Sequence, residues 1–143
     1  MARVVFDTVV FVRALIDPFS FCGRVVFAHY QDYSLVLSPP VATEIVEVIH
    51  RPELTAKLST LMGLDIRRVL DIISGAQIVE LGEIPAVSRD AKDDKFLATA
   101  RAAAADYLVT EDQDLLVLDD YEGTRIVNCS SFLAILEQNL ARE

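Results

Sequence analysis

Carboxylates recur in this 143-residue chain at the places where a parallel sheet would gather them. Asp7 ends the β-rich run RVVF, and Glu44 falls at the edge of a helical apolar stripe. Asp93 and Asp94 head a run from Phe96 to Ala105, and Asp112 and Asp114 follow the apolar segment Tyr107-Leu108-Val109. Ligands of an open α/β sheet bind outside the carboxyl ends of its strands. If the first and fourth strands are neighbours at the switch in strand order, Asp7 and Asp112 converge on one crevice. Clustered carboxylates raise one another's pKa, and a bound divalent cation resolves the conflict. Oxygen-only ligation favours Mg²⁺ or Mn²⁺ over zinc. Such ions position and activate water for in-line attack on a phosphodiester. That chemistry needs no histidine or cysteine, and neither His29 nor His50 is well placed to supply one.

Each acid also has a plain structural reading. Asp7-Thr8 can cap the next helix, and Glu44 can reach solvent from its helix edge. Asp93 and Asp94 suit the positive end of a helix dipole, and Asp112 and Asp114 are ordinary turn residues. With 22 acids in the chain, some fall at strand ends by accident. Spacing alone leaves both readings open.

The elements that would position these acids alternate between strand and helix. After the first strand, Phe11 to Ile16 reads as a short helix stopped at Asp17-Pro18, and a second helix runs from near Gly23 to Tyr30. Leu35-Val36-Leu37 is the second strand. Ser38-Pro39-Pro40 opens a helix with a capping hydroxyl and then proline, and Val41, Ile45, Val48 and Ile49 form its apolar stripe. A carboxylate beside such a stripe is costly unless paired or metal-bound, which singles out Glu44 over the outward-facing Glu47. Leu54 to Leu61 and Asp65 to Ile73 read as a helical hairpin joined at Gly63. Gln77-Ile78-Val79 is a third strand, and Gly82 to Lys92 a polar loop. The acid-headed helix and the Tyr107–Val109 strand follow, then a helical turn over Asp114 to Leu118. Arg125-Ile126-Val127 is a fifth strand, and Ser130 to Leu140 a closing helix capped by Ser130 or Ser131. This alternation predicts an α/β fold with a mostly parallel sheet, as a single domain over residues 1–143.

Composition narrows the class further. A hydrophobic content of 52% indicates a globular core. No apolar run approaches a membrane span and no charged-then-apolar leader opens the sequence, so the cytoplasm is the expected location. Cys22 and Cys129 sit in apolar company without metal spacing and read as buried thiols of a reducing compartment. The formal charge of −9 opposes unassisted binding to a nucleic-acid backbone. It is compatible with a divalent-metal site or a basic partner covering an acidic groove.

Taken together, RVVFDT with Asp7, SPPVATEIVEVIHRPEL with Glu44, DDKFLATA with Asp94, and ADYLVTEDQDLL with Thr110, Asp112 and Asp114 resemble the PIN-domain family. The branch resembled is the one often labelled as the toxin component of toxin–antitoxin pairs, and the likeness spans nearly the whole chain. It implies a three-layer PIN-like fold with a five-stranded parallel sheet in the order 3-2-1-4-5, flanked by helices. It further implies a metal-dependent endoribonuclease acting on single-stranded RNA. Asp7, Glu44, Asp94 and Asp112 would hold Mg²⁺ or Mn²⁺, with Asp114 as a further ligand and Thr110 in support. Asp94 is preferred because it stands where the family's acid stands before the x-F-L-A pattern, whereas a helical wheel sets Asp93 nearer the Phe96–Ala100 face. Two departures from the family pattern stand out. Val9 replaces a usual asparagine, which weakens support around the metal, and Glu111 replaces a small residue beside Asp112, adding negative charge.

The leading expectation is therefore a ribonuclease toxin restrained by a cognate antitoxin, whose arginine could pair with the acids. Arg13, Arg24, Arg67, Arg68, Arg89, Lys92 and Lys95 are candidates to meet RNA phosphates at the rim. A catalytically weak or inactive PIN-like module that binds RNA or protein is the alternative, motivated by Val9, Glu111 and the net charge. An aspartyl-phosphate phosphatase or receiver domain ranks last, because Val9 stands where the phosphatases need an aspartate and no lysine follows Lys95. The resemblance also implies a homodimer or larger assembly, for which the helical hairpin and the closing helix are candidate contact surfaces.

Overall fold

Strand β1 (Arg3–Phe6) lies at the centre of the computed structural model, which describes residues 1–56, 62–87 and 90–142. Val4, Val5 and Phe6 are fully buried, as an unbroken apolar run must be when both sheet faces are covered. β1 pairs in parallel with β2 (Ser34–Leu37) on one side and with β4 (Tyr107–Val109) on the other. β3 (Gln77–Ile78) adds to β2, and β6 (Thr124–Val127) adds to β4, again in parallel. The β1–β4 adjacency inferred from the sequence holds, with Phe6 in register with Val109.

The expected five-strand order is extended at one edge. Asp120–Tyr121 (β5) pairs antiparallel with β6, so the sheet among the described residues is mixed, in the order β3-β2-β1-β4-β6-β5. The connection between β5 and β6 is the dipeptide Glu122-Gly123, with φ of +48° and +90°. Two positive φ values suit the twist of a two-residue hairpin. Glu-Gly lacks the Asn or Asp that announces such a turn, and a two-residue strand has no periodicity to read.

Helices cover the sheet. α1 (Thr8–Ile16) starts earlier than its apolar run suggested, because Asp7 caps it. α2 (Phe21–Gly23) runs directly into a π-helical stretch, Arg24–Ala28. α3 (Pro39–Ile49) buries Val41, Ile45 and Ile49 as the stripe predicted. Its expected cap is different: the Ser38 hydroxyl makes no capping bond and pairs instead with Thr99 Oγ1 at 2.7 Å, fully buried. The helical hairpin is seen as α4 (Pro52–Thr55) and α5 (Met62–Ser74). The expected joint at Gly63 lies inside α5, and residues 57–61 of the expected first helix lie outside the described residues. After a 3₁₀ turn at Ala91–Asp93, α6 (Asp94–Ala103), which buries Phe96, Leu97, Ala100 and Ala103, packs against β1, β2 and β4. α7 (Gln113–Leu116) is one turn. α8 (Cys129–Ala141) is capped by Asn128, whose side chain accepts from Ser131 N, and not by either serine.

The core is knit by rings. Phe6 meets Phe11, Tyr33 and Phe132 with centroids 5.2 to 6.3 Å apart, at tilted or edge-on angles that aromatic quadrupoles favour. Cys22 and Cys129 are joined to each other as a disulfide, linking α2 to the first residue of α8. The expectation of two separate thiols is corrected: residues 107 apart in sequence come within 5.2 Å at Cα when α2 and α8 pack.

Candidate metal centre

The parallel pairing of β1 with β4 brings residues 7 and 110 together, just past the carboxyl ends of two neighbouring strands. The Asp7 carboxylate does two jobs there. Its Oδ1 accepts Val9 N–H at 3.3 Å, capping α1, and its Oδ2 accepts the Thr110 hydroxyl at 2.7 Å. Thr110, fully buried, accepts Asp112 N–H at 3.0 Å on the same oxygen. Asp112 Oδ1 then accepts Asp114 N–H at 3.0 Å and caps α7. One buried hydroxyl thus ties the β1 acid to the turn that carries Asp112 and Asp114.

The 3₁₀ turn ahead of α6 supplies the third side. Oxygens of Asp93, Asp112 and Asp114 lie within 4.8 Å of one another, and Asp93 Oδ2 is buried with no hydrogen-bond partner among the described residues. Burial, the hydrogen bond and charge of Asp112, and the charges of Asp7 and Asp90 push the Asp93 carboxyl up to about 7. Burial also raises Asp7, opposed by the bonds from Thr110 and Val9 and reinforced by the charges of Asp112 and Glu44. A group of acids that resist ionising together is the electrostatic condition a divalent cation relieves.

The neighbouring Asp94 is also buried, but its Oδ1 accepts Val87 N–H at 3.1 Å and so holds the incoming loop to the start of α6. It is not among the grouped oxygens. Glu44 approaches from α3 with its carboxylate engaged twice: the Thr8 hydroxyl donates to Oε2, and Lys95 Nζ lies 2.6 Å from Oε1. Glu44 is near enough to Asp7 to raise it. Thr8 and Lys95 are partners the sequence did not reveal, since nothing in it couples position 95 to position 44.

The donor set fits a hard divalent cation. It offers carboxylate oxygens without sulfur or imidazole, one of them buried and unpaired, which costs free energy until it is satisfied. Glu111 adds less charge here than its position suggests. Its Oε1 accepts Cys129 N–H at 3.0 Å and lies 3.6 Å from Cys22 Sγ, directed to the start of α8. Val9, where the resemblance leads one to expect asparagine, is 38% exposed and serves the centre only through its backbone N–H. Several rim cations have other partners: Arg24 pairs with Glu137, and Arg68 lies over the Phe27 ring. Arg89 lies outside the described residues.

A family model described as the PIN domain matches residues 3–114, which takes in every carboxylate of this centre. Among solved structures, PAE2754 from Pyrobaculum aerophilum shares the fold with a TM-score of 0.59 at 16% identity, covering 96% of this chain and 90% of that one. No curated protein matches the chain in sequence.

Proposed function

The chain belongs to the PIN-domain family, a nuclease-like fold whose members generally depend on a metal, and from that premise we propose that it is an endoribonuclease cleaving single-stranded RNA with Mg²⁺ or Mn²⁺. The observation that carries this reading is the grouping of Asp93, Asp112 and Asp114 oxygens around a buried, unpaired carboxylate oxygen, one strand-end away from Asp7. A bound cation would neutralise charge on the scissile phosphodiester and lower the pKa of an attacking water.

The chain's own residues have distinct parts. Asp93, Asp112 and Asp114 hold the cation, and Asp7 completes the ligand set from the β1 side. Asp93 replaces Asp94 as the proposed ligand from the head of α6, because the Asp94 carboxylate is bound to the Val87 amide. Asp94 stays in the scheme as the residue that fixes that helix start. Thr110 positions Asp7 and the Asp112 turn. Glu44 joins the set when Lys95 releases it to meet an RNA phosphate. This ion pair favours one other reading, a binding module with little catalysis, in which Lys95 keeps Glu44 neutralised. Within the same proposal the chain acts as the toxin of a toxin–antitoxin pair in the cytoplasm, and self-associates.

Incubating labelled single-stranded RNA with the protein in Mg²⁺, Mn²⁺ or EDTA tests the reading. Cleavage in either metal and none in EDTA is expected. RNA retained on the protein without cleavage in any of the three would establish the binding module instead.

A further inference from the structure

Behind the acidic centre, Cys22, Cys129 and the Glu111 carboxylate form a second group. One ligand atom from each lies within 4.8 Å of the other two, and both sulfurs are almost fully buried. Glu111 Oε1 sits 3.6 Å from Cys22 Sγ. A disulfide sulfur carries no proton for that carboxylate, whereas a thiol donates to it and a cation bonds both. Capping of α8 through the Cys129 N–H sets this carboxylate at the helix start, beside both bonded sulfurs. A cavity of about 270 Å³, lined by Cys22, Glu111, Arg13, Ser20 and Asn128, opens beside the group. It is large enough to admit a hydrated ion.

We propose that the Cys22–Cys129 pair, once reduced, forms with Glu111 a site for a thiophilic divalent cation of the zinc class, chemically separate from the carboxylate centre. A dithiol supplies two electrons and two protons: the sulfur–sulfur bond breaks, two S–H bonds form, and the dithiol leaves as its own disulfide. The cation then displaces the two thiol protons as it bonds to both sulfurs and to a Glu111 oxygen. Two soft sulfur donors select zinc over Mg²⁺, so millimolar Mg²⁺ does not compete. Disulfide and metal site are two states of one cluster, selected by the thiol poise around the protein. The proposal is independent of RNA cleavage.

Co²⁺ tests it, because thiolate ligation produces an intense charge-transfer absorption that oxygen ligation lacks. The full-length chain is treated with dithiothreitol, desalted without oxygen and titrated with Co²⁺ in excess Mg²⁺. The expected result is one thiolate-bound Co²⁺ per chain, displaced by Zn²⁺, unchanged in Asp93→Asn/Asp112→Asn and absent from Cys22→Ser. Glu111→Gln is expected to bind about tenfold more weakly. The untreated disulfide form, which needs no mutation, is expected to give no band. Absence of the band from the reduced wild type, or its persistence in Cys22→Ser, overturns the proposal.

Discussion

At the scale of single residues, the consequential choice is between Asp93 and Asp94. Both are acidic, adjacent and buried, and only their partners separate them. Asp94 binds a backbone amide, while Asp93 leaves an oxygen unpaired beside Asp112 and Asp114. The sequence shows an acidic pair heading a helix but not the 3₁₀ turn at Ala91–Asp93 that sets Asp93 beside Asp112 and Asp114. Mn²⁺ titration by calorimetry separates the roles. Asp93→Asn is expected to weaken binding about tenfold or more, and Asp94→Asn much less. The raised Asp93 carboxyl also gives a pH signature. Its folded-state value of about 7 lies above the ordinary carboxyl value of 3.8. The stability it contributes is therefore full below that lower value and is lost as pH rises toward the upper one. Without metal, the melting temperature should fall between about pH 4 and about pH 7, and Asp93→Asn should flatten the fall. Because a cation competes with the Asp93 proton, Mn²⁺ affinity should rise over the same interval. A metal-free melting curve that is equally steep in Asp93→Asn assigns the effect to another group.

Elements position what the residues do, and strand-end placement was the most legible feature of the chain. Asp7 and Asp112 sit past β1 and β4 because both strands are short apolar runs ended by polar residues, a local signal. Non-local contacts were not legible: Lys95 with Glu44, Ser38 with Thr99, and the two cysteines depend on how helices cross. Thr110 is where element and site meet, since its hydroxyl both donates to Asp7 and accepts from the Asp112 amide. Thr110→Val keeps the shape and removes both bonds, so the cleavage rate should drop about 10- to 100-fold with the fold retained. The α1–α2 corner is equally constrained. A Cβ on Gly23 would lie 2.2 Å from the Pro18 carbonyl oxygen, a backbone atom. Gly23→Ala should destabilise the protein by about 1–3 kcal/mol in denaturant unfolding. An unchanged unfolding midpoint would show that the corner yields.

At the scale of the whole molecule, charge and surface decide how the protein meets partners. A net charge of −9 makes RNA association depend on neutralisation at the centre. The exposed apolar side chains Phe19, at 88%, with Ile16 and Phe21 crowd the α1–α2 corner. If this corner is where copies of the chain meet, light scattering should give about twice the 15.8 kDa chain mass, and Phe19→Glu should return it to one. A single-chain mass for the wild type at high concentration would contradict self-association.

The most direct test of the acidic centre is the single-turnover cleavage rate of a labelled single-stranded RNA in saturating Mn²⁺. It should be measured side by side for the wild type and Asp93→Asn/Asp112→Asn, both verified as folded. The predicted result is cleavage by the wild type, abolished by EDTA, and a rate lower by roughly a thousandfold or more in the double variant. Equal rates in the two proteins would place the chemistry elsewhere and contradict the role given to these carboxylates.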